Sequence, residues 1–238
     1  MDADRLLAPL AEAPKRSAIL LDVDGTLAPI VARPELAKVP DETRAELRRL
    51  VGRYALVACI SGRPGEEAKQ LVGVDGVVYV GVHGLELEPE AERWREQLAD
   101  IAEVPWPYLV EDKGLTVAFH YREAPDEEEA QAALQTVADL ARLLGLVPRF
   151  GRKVLEVRPP VTADKGTAVR RLLSERDLHR ALYAGDDTTD LDAFRGLDGL
   201  EAAVRVAIAS EEGPPELRDA ADIVLRGPEE LVAILRAL

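Results

Sequence analysis

The apolar run that ends at Leu21 is followed directly by Asp22 and Asp24, and this abrupt change constrains the chain more than any other stretch. In extended chain, residues two apart point the same way, so both carboxylates can address one site at the end of a buried strand. Neighbouring carboxylates repel one another unless a cation or a shared proton intervenes. The same pair can divide its work between an anionic nucleophile or ligand and a proton carrier. Gly25 then lets the backbone turn sharply and approach a bound group, while Thr26 offers a hydroxyl and an amide to phosphate-like oxygens. An ordinary polar turn can also carry Asp-Gly. The whole run Asp22-Val23-Asp24-Gly25-Thr26-Leu27 is more specific than that dipeptide.

Composition sets the scale around this element. A chain of 238 residues with 47% hydrophobic content exceeds one average domain and has room for one core with a smaller insertion. A formal net charge of -14 argues against nucleic acid or an anionic membrane surface as partner, so a phosphate ester has to be held by local cations. The single Cys59 lies in an apolar run and reads as a small core residue, which fits a reducing compartment. Residues 1–16 lack the apolar core of a signal peptide, and no run approaches the length of a membrane span. A cytoplasmic protein is the expectation.

Taken in order, residues 1–14 read as a short amphipathic helix, and after the Asp22 loop Pro29, Pro34 and Pro40 punctuate an irregular segment. A helix from Asp41 and a buried strand over 55–60 follow, and that strand delivers Ser61, Gly62 and Arg63 before Pro64 opens another helix. In open parallel sheets ligands bind beyond the carboxyl ends of the strands, which brings Ser61 towards Asp22 and Asp24. An ordinary helix start would also place Ser before Pro. A third strand over 77–82 ends in His83, either a structural histidine or a contact to a substrate hydroxyl. Pro105 and Pro107 then break the pattern, and the domain boundary is placed there. Residues 105–160 read as strand, strand, helix, strand, strand, an α+β insertion between two core segments, 1–104 and 161–238. The core segments read as a doubly wound, mostly parallel α/β sheet, closed by strands over 181–184 and 204–209 and a short helical end.

Two further features bear on chemistry. Lys165 opens a helix, an unfavourable end for a cation, so either solvent or an anionic partner must compensate. Gly185-Asp186-Asp187-Thr188-Thr189-Asp190 follows an apolar strand, and carboxylates clustered there without Cys or His point to magnesium. Asp187 and Asp190 could equally begin a solvated, capped helix.

The run at Asp22 resembles the nucleophile motif of the haloacid dehalogenase-like phosphohydrolases. This implies Asp22 as nucleophile and Asp24 as general acid and base. It further implies metal ligation by Asp22, Asp24, Asp186 and Asp187, with Asp190 in support, and phosphate binding by Gly25, Thr26, Ser61, Gly62, Arg63 and Lys165. Over nearly its whole length the chain is similar to the trehalose-6-phosphate phosphatases. The resemblance is carried by the Asp22 run, Ser61-Gly62-Arg63, Gly81-Val82-His83-Gly84, His120-Tyr121-Arg122, the stretch from Gly151 through Arg152 and Lys153 to Pro159, and Gly185 to Phe194. Val23 stands where that family often has Tyr, and its side chain is expected to face away from the metal. The resemblance implies a core that holds the phosphoryl group and a cap that reads a disaccharide. Candidate readers are His83, Lys113, His120, Arg122, Lys153 and Glu156, although surface charge explains Lys113 and Arg122 equally well. It also implies a functional link to a trehalose-phosphate synthase. Other sugar phosphates, such as sucrose phosphate or mannosyl phosphoglycerate, remain the rival substrates. A receiver-like domain is disfavoured by Asp24 and the long insertion, and a non-catalytic partner domain by the retention of Asp22, Asp24 and Asp186.

Overall fold

The computed structural model describes residues 3–31, 36–151, 153–209 and 213–238; Pro34 and Arg152 of the sequence reading lie outside the described residues. The chain forms two compact units, one made of residues 1–84 and 163–238 and the other of residues 85–162.

In the larger unit, α1 (Ala3–Ala11), β1 (Ser17–Leu21), α2 (Asp41–Arg53), β2 (Leu56–Ile60), α3 (Gly65–Val72) and β3 (Val78–Val80) follow in order. The smaller unit contributes α4 (Arg95–Ala102), β4 (Val110–Asp112), β5 (Val117–His120), α5 (Glu127–Leu143), β6 (Val147–Gly151) and β7 (Val154–Arg158). The chain then returns through α6 (Lys165–Ser174), β8 (Arg180–Gly185), α7 (Asp190–Gly196), β9 (Ala202–Ile208), α8 (Pro215–Ala220), β10 (Ile223–Leu225) and α9 (Pro228–Ala237).

The larger unit is built on a parallel sheet in the order β10-β9-β8-β1-β2-β3. β1 and β2 are buried along their whole length, which is why they read as continuous apolar runs rather than alternating ones. Strand order reverses about β1: β2 and β3 lie on one side, and β8, β9 and β10 on the other. This reversal opens a crevice beyond the carboxyl ends of β1 and β8. The expected doubly wound sheet is thus observed. Its end is longer than the expected short helix, because β10 adds a sixth strand between α8 and α9.

The smaller unit is a four-stranded antiparallel sheet in the order β4-β5-β7-β6. One face carries Val117, Phe119, Leu155 and Val157, packed with Leu134, Val137 and Ala138 of α5 and with Leu98 and Ile101 of α4. This packing corrects the boundary expected at residue 105. Residues 85–104 belong to the smaller unit, because α4 buries its apolar face in that core, whereas Pro105 and Pro107 punctuate a connection within it.

Candidate active site

β1 ends at Asp22, whose amide donates to the Ala184 carbonyl of β8 at 2.9 Å and so fixes the nucleophile candidate to the neighbouring strand. The chain then folds back tightly: the amides of Leu27 and Ala28 both donate to the Val23 carbonyl at 2.9 Å, and that of Gly25 to the Ala28 carbonyl at 2.8 Å. Gly25 has φ +77°, and any side chain there would overlap the Asp186 carboxylate. Glycine is required by space as well as by conformation. Val23 is buried in the hydrophobic core.

Lys165 is the cation at the centre. Asp164 caps α6 through its side chain, which accepts from the Thr167 amide at 2.6 Å, and this sets the first helical residue pointing into the crevice. The Lys165 ammonium is 98% buried and lies 2.9 Å from Asp22 Oδ1 and 2.6 Å from Asp190 Oδ1. These two carboxylates supply the anionic partners that a lysine at a helix start requires. Burial alone works against its charge, but Asp190 and Asp22 outweigh that penalty and raise its pKa.

Asp190 accepts from four donors. Its Oδ1 takes the Lys165 ammonium and the Tyr183 hydroxyl at 2.7 Å; its Oδ2 takes the amides of Asp186 and Asp187, each at 2.9 Å. These contacts fill the roughly four lone-pair positions of a carboxylate. Oxygens of Asp22, Asp186 and Asp190 lie within 4.8 Å of one another. Burial, assisted by repulsion from Asp190 and opposed by Lys165, pushes Asp22 up to about 7. Burial and the charges of Asp22 and Asp190 push Asp186 up to about 8. Three buried carboxylates around one lysine form an anionic set of oxygen donors that a divalent cation would neutralise. With Asp190 saturated, Asp22 and Asp186 are the side chains left to hold it. Asp187, expected as a ligand, is exposed, and its carboxylate is not among the three clustered groups.

Ser61 is buried at the end of β2. Its amide donates to the Val80 carbonyl at 2.9 Å, so its hydroxyl is the group left for a phosphoryl oxygen. Gly62 leaves room for His83: a side chain at that position would come within 2.8 Å of the imidazole. Val82, His83 and Gly84 all have positive φ, an unfavourable conformation for Val82 and His83 that turns the strand end sharply. Arg63 donates two hydrogen bonds to Asp24, from Nε at 2.7 Å and a terminal nitrogen at 2.6 Å, and so holds both oxygens of the candidate proton carrier. The Thr26 hydroxyl is fully buried and has no hydrogen-bond partner among the described residues.

In the smaller unit, strand register sorts the other candidates. Glu111 of β4 lies opposite Ala118 of β5, Ala118 opposite Glu156 of β7, and Glu156 opposite Arg149 of β6. By alternation, this row shares the sheet face opposite the helices with His120 and Arg158. Glu111 stands 3.4 Å from His120 Nε2 and 3.5 Å from Lys113 Nζ, joining two expected readers through a carboxylate not among them. The His120 contact contributes most to holding the Glu111 carboxyl below its usual range. Lys153 sits in the turn after β6 with φ +60° and pairs with Glu127 in the first turn of α5. Arg122 is exposed beyond β5.

Residues 20–110 and 107–226 match the family model described as Trehalose-phosphatase. The chain belongs to the trehalose-phosphatase family. Among relatives, a probable trehalose-phosphate phosphatase G of Arabidopsis thaliana is 32% identical over 94% of this chain and 69% of its own length. A trehalose-phosphate phosphatase of Mycobacterium marinum is 34% identical, over 80% of this chain and 54% of that protein. An uncharacterized glycosyl hydrolase of Mycobacterium tuberculosis is 37% identical over 76% of this chain, which spans only 15% of it. Among solved structures, a trehalose-6-phosphate phosphatase related protein has a TM-score of 0.72 at 24% identity, covering 92% of this chain and 95% of that one. Likeness at this identity establishes a shared fold.

Two members of this trehalose-phosphatase arrangement escaped sequence reasoning. Tyr183 lies in a strand buried on both faces, where no alternation marks which side chain meets a polar partner. Glu111 carries a weak signal: it stands two residues before Lys113 in extended chain, so the two point the same way.

Proposed function

We propose that this chain is a magnesium-dependent phosphatase that hydrolyses trehalose 6-phosphate to trehalose and inorganic phosphate. The reading rests on family membership together with one geometric observation: a buried lysine shared by Asp22 and Asp190 beside Asp186 at the sheet's switch point. Asp22 attacks phosphorus in line and forms an aspartyl phosphate, while Asp24 delivers a proton to the leaving sugar oxygen. Asp24 then takes a proton from the water that hydrolyses the intermediate. Lys165 and the Ser61 hydroxyl stabilise charge on the phosphoryl oxygens. Magnesium, held by Asp22, Asp186 and the main-chain carbonyl of Asp24, would supply further positive charge there. A trehalose-phosphate synthase supplies the substrate, in the cytoplasm.

A phosphate-release panel tests this reading. With magnesium, trehalose 6-phosphate should be turned over much faster than sucrose phosphate or mannosyl phosphoglycerate, and chelation should abolish release. A clear preference for another sugar phosphate would reassign the substrate and leave the reaction class standing.

Sugar reading is assigned to the polar sheet face of the smaller unit. Glu156→Ala should lower kcat/KM for the disaccharide phosphate by about 1–3 kcal/mol for a lost polar contact, and leave a small aryl phosphate nearly unchanged. Lys153→Ala should leave both substrates nearly unchanged and shift stability by less than about 1 kcal/mol, because its partner is Glu127 in a partly exposed pair. Equal losses on both substrates for Glu156→Ala would move that residue from recognition to fold support.

The metal expectation has a pH signature. Asp22 and Asp186 keep their protons up to about 7 and about 8 in the folded, metal-free chain. The unfolded chain releases the same protons near pH ~4. Between these limits the folded state binds more protons, so the contribution of these two groups to metal-free stability is fully present below pH ~4 and is lost as pH rises through the folded values. Magnesium competes with those protons. Its effect on Tm should be small near pH ~5 and reach about 5–10 °C near pH ~8 at a hundredfold excess over Kd. Melts across this range with EDTA or magnesium check the sign. A gain that shrinks as pH rises would contradict it.

A further inference from the structure

Among the described residues Tyr183 is the largest of the fully buried side chains, and its ring meets Phe194 edge-on with centroids 6.1 Å apart. Ring packing accounts for an aromatic residue but not for the hydroxyl, since phenylalanine fills nearly the same space. The hydroxyl has one described partner, Asp190 Oδ1 at 2.7 Å, on the oxygen that also holds Lys165 at 2.6 Å. Burial, then the Asp190 charge, raises the phenol pKa well above its ordinary value, so the oxygen keeps its proton and can only donate to the carboxylate.

We propose that Tyr183 is a positioning residue: its hydroxyl completes the four-donor cage around Asp190 and, through Asp190, sets the Lys165 ammonium against Asp22. Lys165 has three protons; Asp22 and Asp190 take two, which leaves one for an incoming phosphoryl oxygen. Without the hydroxyl, Asp190 Oδ1 has the ammonium as its only side-chain donor and draws it away from Asp22. The backbone amides of Asp186 and Asp187 on Oδ2 tie the same carboxylate to the strand end that carries Asp186. One phenol thus helps to place both the lysine and a metal-ligand candidate.

The proposal rests on the phosphatase reading for its kinetic arm only. Tyr183→Phe keeps the ring and its contact with Phe194, and should lower kcat for an aryl phosphate and for trehalose 6-phosphate about 3- to 10-fold, the loss of one hydrogen bond, with KM within about twofold. Phe194→Leu disturbs the same packing without touching the hydroxyl. It should lower Tm by at least as much as Tyr183→Phe while keeping kcat near wild type. Independently of activity, amide hydrogen exchange of Asp186 and Asp187 in the metal-free protein should quicken about tenfold in Tyr183→Phe and remain slow in Phe194→Leu. Should the wild-type chain release no phosphate from either substrate, the functional reading fails and the exchange rates alone decide the positioning role. Unchanged exchange in Tyr183→Phe, wild-type kcat in that variant, or an equal loss of kcat in Phe194→Leu would each overturn the proposal.

Discussion

Asp22→Asn should remove turnover, by on the order of 10⁴-fold or more, while the protein remains folded. The substitution takes away the attacking oxygen and one of the two side chains available to a cation, and nothing else within reach can replace both. Asp24, two residues on, pairs with Arg63 and is not among the carboxylates clustered about Lys165. Asp190 has all four acceptor positions occupied. The fold should survive, because Lys165 keeps its 2.6 Å contact to Asp190 and the Asp22 amide still bonds β8. Phosphate release measured beside a thermal melt separates the two effects. Near-wild-type turnover in a folded D22N protein would exclude Asp22 as nucleophile.

Asp190→Ala should damage stability and activity together. It leaves a buried hydroxyl and two amides without acceptors, and removes one of the two carboxylates that keep a buried ammonium charged. Breaking a buried charge pair in this way costs about 3–5 kcal/mol, which for a chain of this size lowers Tm by roughly 6–20 °C. Activity falls as well, since Lys165 loses one anchor and the amides of Asp186 and Asp187 lose theirs. A melt within about 2 °C of wild type would mean that solvent or a rearranged side chain satisfies these groups, and that Asp190 is not the structural centre of the site.

These two substitutions also mark where legibility ended. Asp22, Asp24, Ser61, Lys165 and Asp186 could be picked out because each follows an apolar strand or opens a helix, positions that a parallel α/β sheet turns towards one edge. Asp190 could be named in support, but not as the carboxylate that gathers four donors. In sequence it is one more acid in an acidic helix start, and its four donors come from β8, the loop after β8 and α6. Asp187, identical in type and three residues earlier, could not be separated from it until the structure left its side chain exposed. In the smaller unit, Lys153 was an expected reader, but its positive φ places it in the turn between β6 and β7, paired with Glu127 of α5, and no periodic signal in the sequence marks that turn.

The sequence by itself determined the βα order, the parallel sheet and the clustering of carboxylates at strand ends, because continuous apolar runs, helix-start residues and glycine turns are local signals. The tertiary structure alone decided that α4 belongs to the smaller core and that Tyr183 reaches Asp190. It also brought Asp22, Asp186 and Asp190 together within 4.8 Å while filling Asp190 with four donors. Those outcomes depend on distances between residues far apart in the chain, and on which hydrogen-bond acceptors are already filled, and neither leaves a periodic trace in the sequence.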